Sequence, residues 1–307
     1  MLATLDIVSL ALAGLLGMAV GGNNLAACCG PIIGSGMISR RSGILLAVAG
    51  YLAGLSLEGP KLFRVREILL PVDTSTGTLA ILIASLLVFL GGEVTRVPLS
   101  LSKALTGAIL GVTIAIGPLA GSGYLILILA FWCLSPIIAT GLGVLLVAVD
   151  DRLSPRNLWI KLSLLKTGLL VVSFLSAYVL GSNTLGLIAG VVYNQTLYAS
   201  IIVGGGSVIG AFLLGKGPLR RLSEGIFSLR YPNAFFSQLI GSATVELANQ
   251  VGVPLSITET VSSGIIGSGL GRRMRVMNAR NVFLIITSWV LSPIAGFILA
   301  YVLTKLI

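Results

Sequence analysis

Ten apolar stretches follow one another along this chain with only short polar breaks between them. They lie near residues 2–20, 42–57, 76–92, 98–117 and 122–149, then near 162–181, 198–215, 233–251, 254–270 and 281–304. A hydrocarbon core about 30 Å thick is crossed by about 20 helical residues, so most of these lengths suit a bilayer. Charged residues are 10% of the chain and hydrophobic ones 56%, whereas a soluble domain is about 25% charged. So few charges cannot cover a soluble surface. The expected fold is an all-α polytopic membrane protein with interrupted or re-entrant helices. The first stretch has no basic leader and no clear small-residue cleavage site, and reads as a retained span.

The composition also removes whole classes of chemistry. There is no histidine, so imidazole bases and histidine metal sites are excluded. Three cysteines make no disulfide framework. The carboxylates Glu93, Glu246 and Glu259 are scattered, which argues against an enzyme. Gly204-Gly205-Gly206 lies inside an apolar stretch with no strand before it and no Walker lysine, so no nucleotide site is expected. No cofactor is expected either. The net charge of +10 is explained by basic residues between the apolar stretches, without nucleic acid.

The chain reads twice. Val97-Pro98-Leu99-Ser100 recurs as Val253-Pro254-Leu255-Ser256, and Ile109-Leu110-Gly111 as Ile265-Ile266-Gly267. Trp132 and Ser135-Pro136 recur as Trp289 and Ser292-Pro293. Gly59-Pro60 pairs with Gly217-Pro218, and Gly22-Asn23 with Ser182-Asn183. The nearly constant offset argues for duplication: residues 1–149 and 162–307 are two repeats, joined by a cytoplasmic linker at 150–161. Five crossings per repeat invert the second relative to the first. With both termini outside, fifteen Lys and Arg fall inside, among them Arg40, Arg41, Lys161, Lys166 and the group Arg272 to Arg280. Outside fall Lys61, Arg64, Arg66 and Lys305. This asymmetry is that of a cell-membrane protein obeying the positive-inside rule. Inverted repeats with broken helices are a mark of secondary transporters.

Polar residues within the apolar stretches mark the candidate site. Gly22-Asn23-Asn24 and Ser182-Asn183-Thr184 break two stretches at matching positions; unwound backbone there survives only if it is buried in protein or lines a cavity. Ser100, Ser102, Ser256 and Thr258 follow the two prolines, where a helix start favours an anion. Lys103 and Glu259 occupy equivalent positions inside apolar stretches, where an unpaired charge is costly. About a pseudo-two-fold axis they face each other and pair, or share a substrate. Glu259 and, as a second candidate, Glu246 can carry a proton.

These elements together resemble the inorganic phosphate transporter (PiT) family, including its sulfate permease branch. The family's paired signature stands here as Gly21-Gly22-Asn23-Asn24-Leu25-Ala26-Ala27-Cys28-Cys29-Gly30 and Gly181-Ser182-Asn183-Thr184-Leu185-Gly186-Leu187-Ile188-Ala189-Gly190. The serine elements, Gly107-Ala108-Ile109-Leu110-Gly111 and Ser288-Trp289-Val290-Leu291-Ser292-Pro293 complete it. The resemblance implies an alternating-access symporter of inorganic phosphate, or alternatively sulfate, coupled to Na+ or H+. It also implies a homodimer in the lipid bilayer. Asn23 and Asn183 match the family's first asparagine, a coupling-ion position as well as a substrate one. The signature aspartate is Asn24 in one copy and Thr184 in the other, and the histidine of the serine element is Lys103. Loss of those aspartates removes hard carboxylate ligands for sodium. A membrane scaffold that no longer transports is the remaining alternative.

Overall fold

The computed structural model describes residues 4–72, 74–95, 97, 99–119, 121–153, 157–192, 195–215, 231–271 and 279–306. Helices account for nearly all of them, and the described residues contain no strand. In chain order the helices are α1 (Thr4–Asn23), α2 (Leu25–Gly34), α3 (Arg40–Leu57), α4 (Phe63–Leu69), α5 (Ser75–Thr95), α6 (Leu101–Ile116) and α7 (Ser122–Leu153). They continue as α8 (Leu158–Leu180), α9 (Gly186–Val191), α10 (Thr196–Leu213), α11 (Tyr231–Gln250), α12 (Ile257–Gly271) and α13 (Ala279–Leu306). Polar side chains start several of them. Ser39 accepts the Ser42 N–H at 3.1 Å to begin α3, and Asn157 accepts those of Trp159 and Ile160 to begin α8. Each bond satisfies a backbone donor that the first helical turn leaves free.

Not all ten apolar stretches form helices that are long and apolar enough by themselves to cross a membrane. By length and composition six described segments can cross a membrane, or seven if α3 and α4, bent by 60° at Glu58, act as one. The reason is plainest at α6 and α12, with 16 and 15 residues. At 1.5 Å per residue they are about 24 and 22 Å long, short of a core about 30 Å thick. At the other extreme, α7 has 32 residues and runs through Asp150 to Leu153, into the stretch expected to be a linker. Residues 154–156 lie outside the described residues.

Two sets of helices pack around a shared interior. In one, α1 lies on α10 and α3 on α8; in the other, α6 lies on α13 and α12 on α7. The helices α5 and α11 touch members of both sets. Glycine permits the close approach. A Cβ at Gly107 would land on the backbone of Pro293, and one at Gly267 on the backbone of Thr140. Small residues at such crossings let helices approach within van der Waals contact where no hydrophobic effect drives them together. Arg66, counted among the outside charges, is 1% exposed. Its guanidinium donates to the carbonyls of Leu70 and Val72 beyond the end of α4, an arrangement favoured by the partial negative charge of a helix C-terminus.

Candidate functional site

The two serine elements build the site from the starts of two helices. Ser100 accepts the Lys103 N–H at 3.5 Å and so starts α6. Ser256 accepts the Glu259 N–H at 3.4 Å at the start of α12. Gly252, in the left-handed region at φ 72°, turns the chain out of α11 and into the second element; a side chain would strain that turn. Pro98, which opens the first element, lies outside the described residues.

Both helix starts border one small cavity of about 80 Å³. Ser100, Leu101 and Ser102 line it from α6, Ser256, Ile257 and Thr258 from α12, Asn23 and Asn24 from the end of α1, and Thr184 from between α8 and α9. Of the polar residues singled out from sequence, Asn23, Asn24, Ser100, Ser102, Thr184, Ser256 and Thr258 therefore meet around one space. Phe89, Leu99 and Leu180 close it with apolar surface. Ser102 and Thr184 are hydrogen-bonded at 2.9 Å, as are Ser256 and Thr258. The side-chain amides of Asn23 and Asn24 have no hydrogen-bond partner in the described chain, so their donors are free for a guest. Two converging helix N-termini, hydroxyls and amides make a neutral, donor-rich pocket suited to an anion. No carboxylate lines it among the described residues.

The two signature breaks differ in form. At Asn24 the backbone ladder is nearly intact: Asn24 N–H bonds to the Val20 carbonyl at 2.9 Å, and Cys28 N–H to the Asn24 carbonyl at 3.0 Å. At Gly181–Leu185 the chain widens into one π-helical turn. Neither copy is unwound as expected from the glycines and asparagines. One inserted residue, absorbed as a π turn, satisfies the backbone without melting the helix.

Asn183 does not line the cavity. It is 1% exposed and serves as a bracket. Its Nδ2 donates to Asn249 Oδ1 at 2.6 Å and to the Val253 carbonyl at 3.3 Å. Its Oδ1 accepts the Leu255 N–H at 3.2 Å. It thereby fixes the backbone on both sides of Pro254, immediately before Ser256. Asn249 is a site residue the sequence reading missed; it lies three positions from Glu246, hence on the same helix face.

Lys103 and Glu259 meet, with Nζ and Oε2 2.6 Å apart, and both residues are buried. They face away from the small cavity. Together they line a larger one of about 660 Å³ between α7 and α13, otherwise walled by apolar residues such as Leu110, Trp132, Trp289 and Phe297. Lys103 Nζ lies 5.1 Å from the Trp132 ring centroid, within range of a cation–π attraction. The Trp132 indole N–H donates to the Pro254 carbonyl at 2.8 Å, which ties this pair to the second serine element. Glu246 sits in the last turn of α11, half-buried, rather than deep within a span.

The pattern of the Phosphate transporter family matches residues 20–167 and again 161–300. A Methanocaldococcus jannaschii protein assigned as a phosphate permease is 28% identical over 290 residues, 94% of this chain and 93% of that protein. The sulfate permease of Bacillus subtilis is 26% identical, covering 94% of this chain and 84% of its own. In three dimensions the chain superposes on a structure titled the sodium-dependent phosphate transporter with a TM-score of 0.87, covering 99% of both chains at 17% identity. The family matches span nearly the whole sequence, and the chain is a multi-pass membrane protein that belongs to the phosphate transporter family.

Proposed function

We propose that this protein is an ion-coupled symporter that carries inorganic phosphate across the membrane by alternating access. The observation that carries the reading is the meeting of the α6 and α12 N-termini at one donor-rich cavity. Ser100, Ser102, Ser256, Thr258, Asn23, Asn24 and Thr184 would hold the anion, and Asn183 would hold the backbone that presents two of them. Lys103 acts from behind, through its pair with Glu259.

The halves 1–149 and 162–307 are read as inverted copies, with both termini outside. The packing supports the duplication. Under the repeat offset α1 corresponds to α8 and α3 to α10, so the pairs α1–α10 and α8–α3 exchange. The pairs α6–α13 and α12–α7 exchange in the same way. Movement of one half against the other would open the cavity to each side in turn.

The coupling ion follows from the cavity's chemistry. A cavity whose polar lining is all neutral oxygens and amides is a weak host for sodium, which favours a proton held on Glu259 or Glu246. The sodium-dependent neighbour supports the opposite reading, and the sulfate permease relative supports sulfate as the cargo. Uptake into proteoliposomes separates these. Labelled phosphate and labelled sulfate are offered under a sodium gradient, a proton gradient, or neither. Phosphate accumulation under the proton gradient is expected. Accumulation of sulfate alone reassigns the cargo, and accumulation under sodium alone reassigns the coupling. No accumulation of either anion overturns the transporter reading in favour of a scaffold.

A further inference from the structure

A second polar cluster lies apart from both cavities, where the break after α3 meets the last turn of α11. Glu58 follows the final residue of α3, and Glu246 projects from α11. Gln250 Nε2 donates to Oε1 of both carboxyl groups, at 3.3 Å to Glu58. One amide nitrogen thus bridges the two carboxyl groups. Lys61 Nζ closes the ring, 3.0 Å from Glu58 Oε1 and 2.8 Å from Gln250 Oε1. Tyr178 of α8 faces both carboxyl groups. One lysine thus stands against two carboxyl groups. Two carboxyl groups bridged by one amide nitrogen are close enough that repulsion between like charges favours retaining one proton.

From this cluster a chain of hydrogen bonds leads to the small cavity. Asn249 Nδ2 donates to Glu246 Oε2 at 3.4 Å and to Ser182 Oγ at 2.6 Å. Asn249 Oδ1 accepts from Asn183, and Asn183 in turn holds Val253 and Leu255. Two asparagines therefore join Glu246 to the backbone that aims α12 at the cavity.

We propose that Glu58 and Glu246 share one proton and together act as positioning residues for the anion cavity. With the proton present, an ionised Glu58, Lys61 and a neutral Glu246 sum to zero charge and the ring closes as seen. Without it the carboxylates repel, Glu246 withdraws, and Asn249 and Asn183 shift with it. The inference rests on the anion reading of the cavity and adds Glu58, which no motif marked. Proton linkage then sets the sign: phosphate binds more weakly as pH rises past the titration of the pair.

The test uses the full chain purified in detergent, with Glu58→Gln and Glu246→Gln as variants. Labelled phosphate binding is measured across the neutral pH range, and the ratio of variant to wild-type affinity removes the titration of phosphate itself. A neutral amide at either position removes the need for the shared proton. The ratio is expected to rise with pH, approaching tenfold per pH unit as for one linked proton. Parallel profiles overturn the proposal. Thermal unfolding of the anion-free chain over the same range is the second readout. A pH dependence present in wild type and absent from both variants supports the shared proton, and equal dependence in all three overturns it. If the wild type binds no phosphate at any pH, the cavity reading and the positioning role both fall, while the unfolding profiles still decide the shared proton.

Discussion

Lys103 and Glu259 stand at equivalent places in two sequence elements 156 residues apart, and their side chains meet at 2.6 Å in the interior. Removing one partner leaves a buried charge without compensation, at a cost of about 3–5 kcal/mol. Lys103→Ala and Glu259→Ala are each expected to lower the thermal unfolding midpoint strongly. Replacing both with apolar residues, Lys103→Met with Glu259→Leu, is expected to recover most of the loss. A double variant as unstable as the sum of the single ones would show that the two charges do not act as a pair.

Asn183 satisfies a backbone donor and a backbone acceptor around Pro254. Asn183→Ala leaves the Leu255 N–H buried and unpaired, which costs about 1–3 kcal/mol. The second consequence is functional. With the second serine element no longer held, added phosphate should raise the unfolding midpoint of wild type and leave that of the variant unmoved. Equal stabilisation of both would remove Asn183 from the support of the site.

Ser100 and Ser256 each satisfy a first-turn donor, so Ser100→Ala and Ser256→Ala should each destabilise the chain by about 1 kcal/mol. Both also border the cavity. Phosphate affinity, measured by equilibrium binding, should fall in both variants, whereas Ser39→Ala, which removes the start of α3, should leave affinity unchanged. A loss of affinity in the Ser39 variant would mean that destabilisation alone explains the other two.

Gly267 packs against the backbone of Thr140, and an added Cβ has no room there. Gly267→Leu should force α12 away from α7 at a cost of about 1–3 kcal/mol, read as a lower unfolding midpoint. Gly205, with nothing near its missing Cβ, should tolerate alanine at no cost; a large loss there would contradict the packing described for α10.

Much of this was legible in the residues. The scarcity of charge forced a membrane fold, and the doubled proline–serine element named the helix starts that line the cavity. The equivalent positions of Lys103 and Glu259 left two readings, a pair or a shared substrate, and the structure brings the two side chains together. Other features left no such mark. Asn249 and Glu58 follow no motif, and their roles depend on which side chains the bend at Glu58 carries to the end of α11. Nothing in the sequence distinguished Asn183, turned to the backbone, from Asn23, turned to the cavity. Hydropathy counted ten apolar stretches, yet α6 and α12 are shorter than a hydrocarbon core is thick, since apolar composition reports burial but not whether lipid or protein provides it.

The sequence by itself therefore determined the solvent, the helical class, the duplicated elements and the residue types able to hold an anion, since these depend on composition and spacing along one chain. Only the tertiary structure decided which of those residues share a cavity. It turned Lys103 and Glu259 toward the apolar space between α7 and α13, and linked Glu58 and Glu246 to the site through Asn249 and Asn183. Such choices depend on the directions of side chains on helices far apart in sequence, which close glycine packing fixes and local pattern does not record.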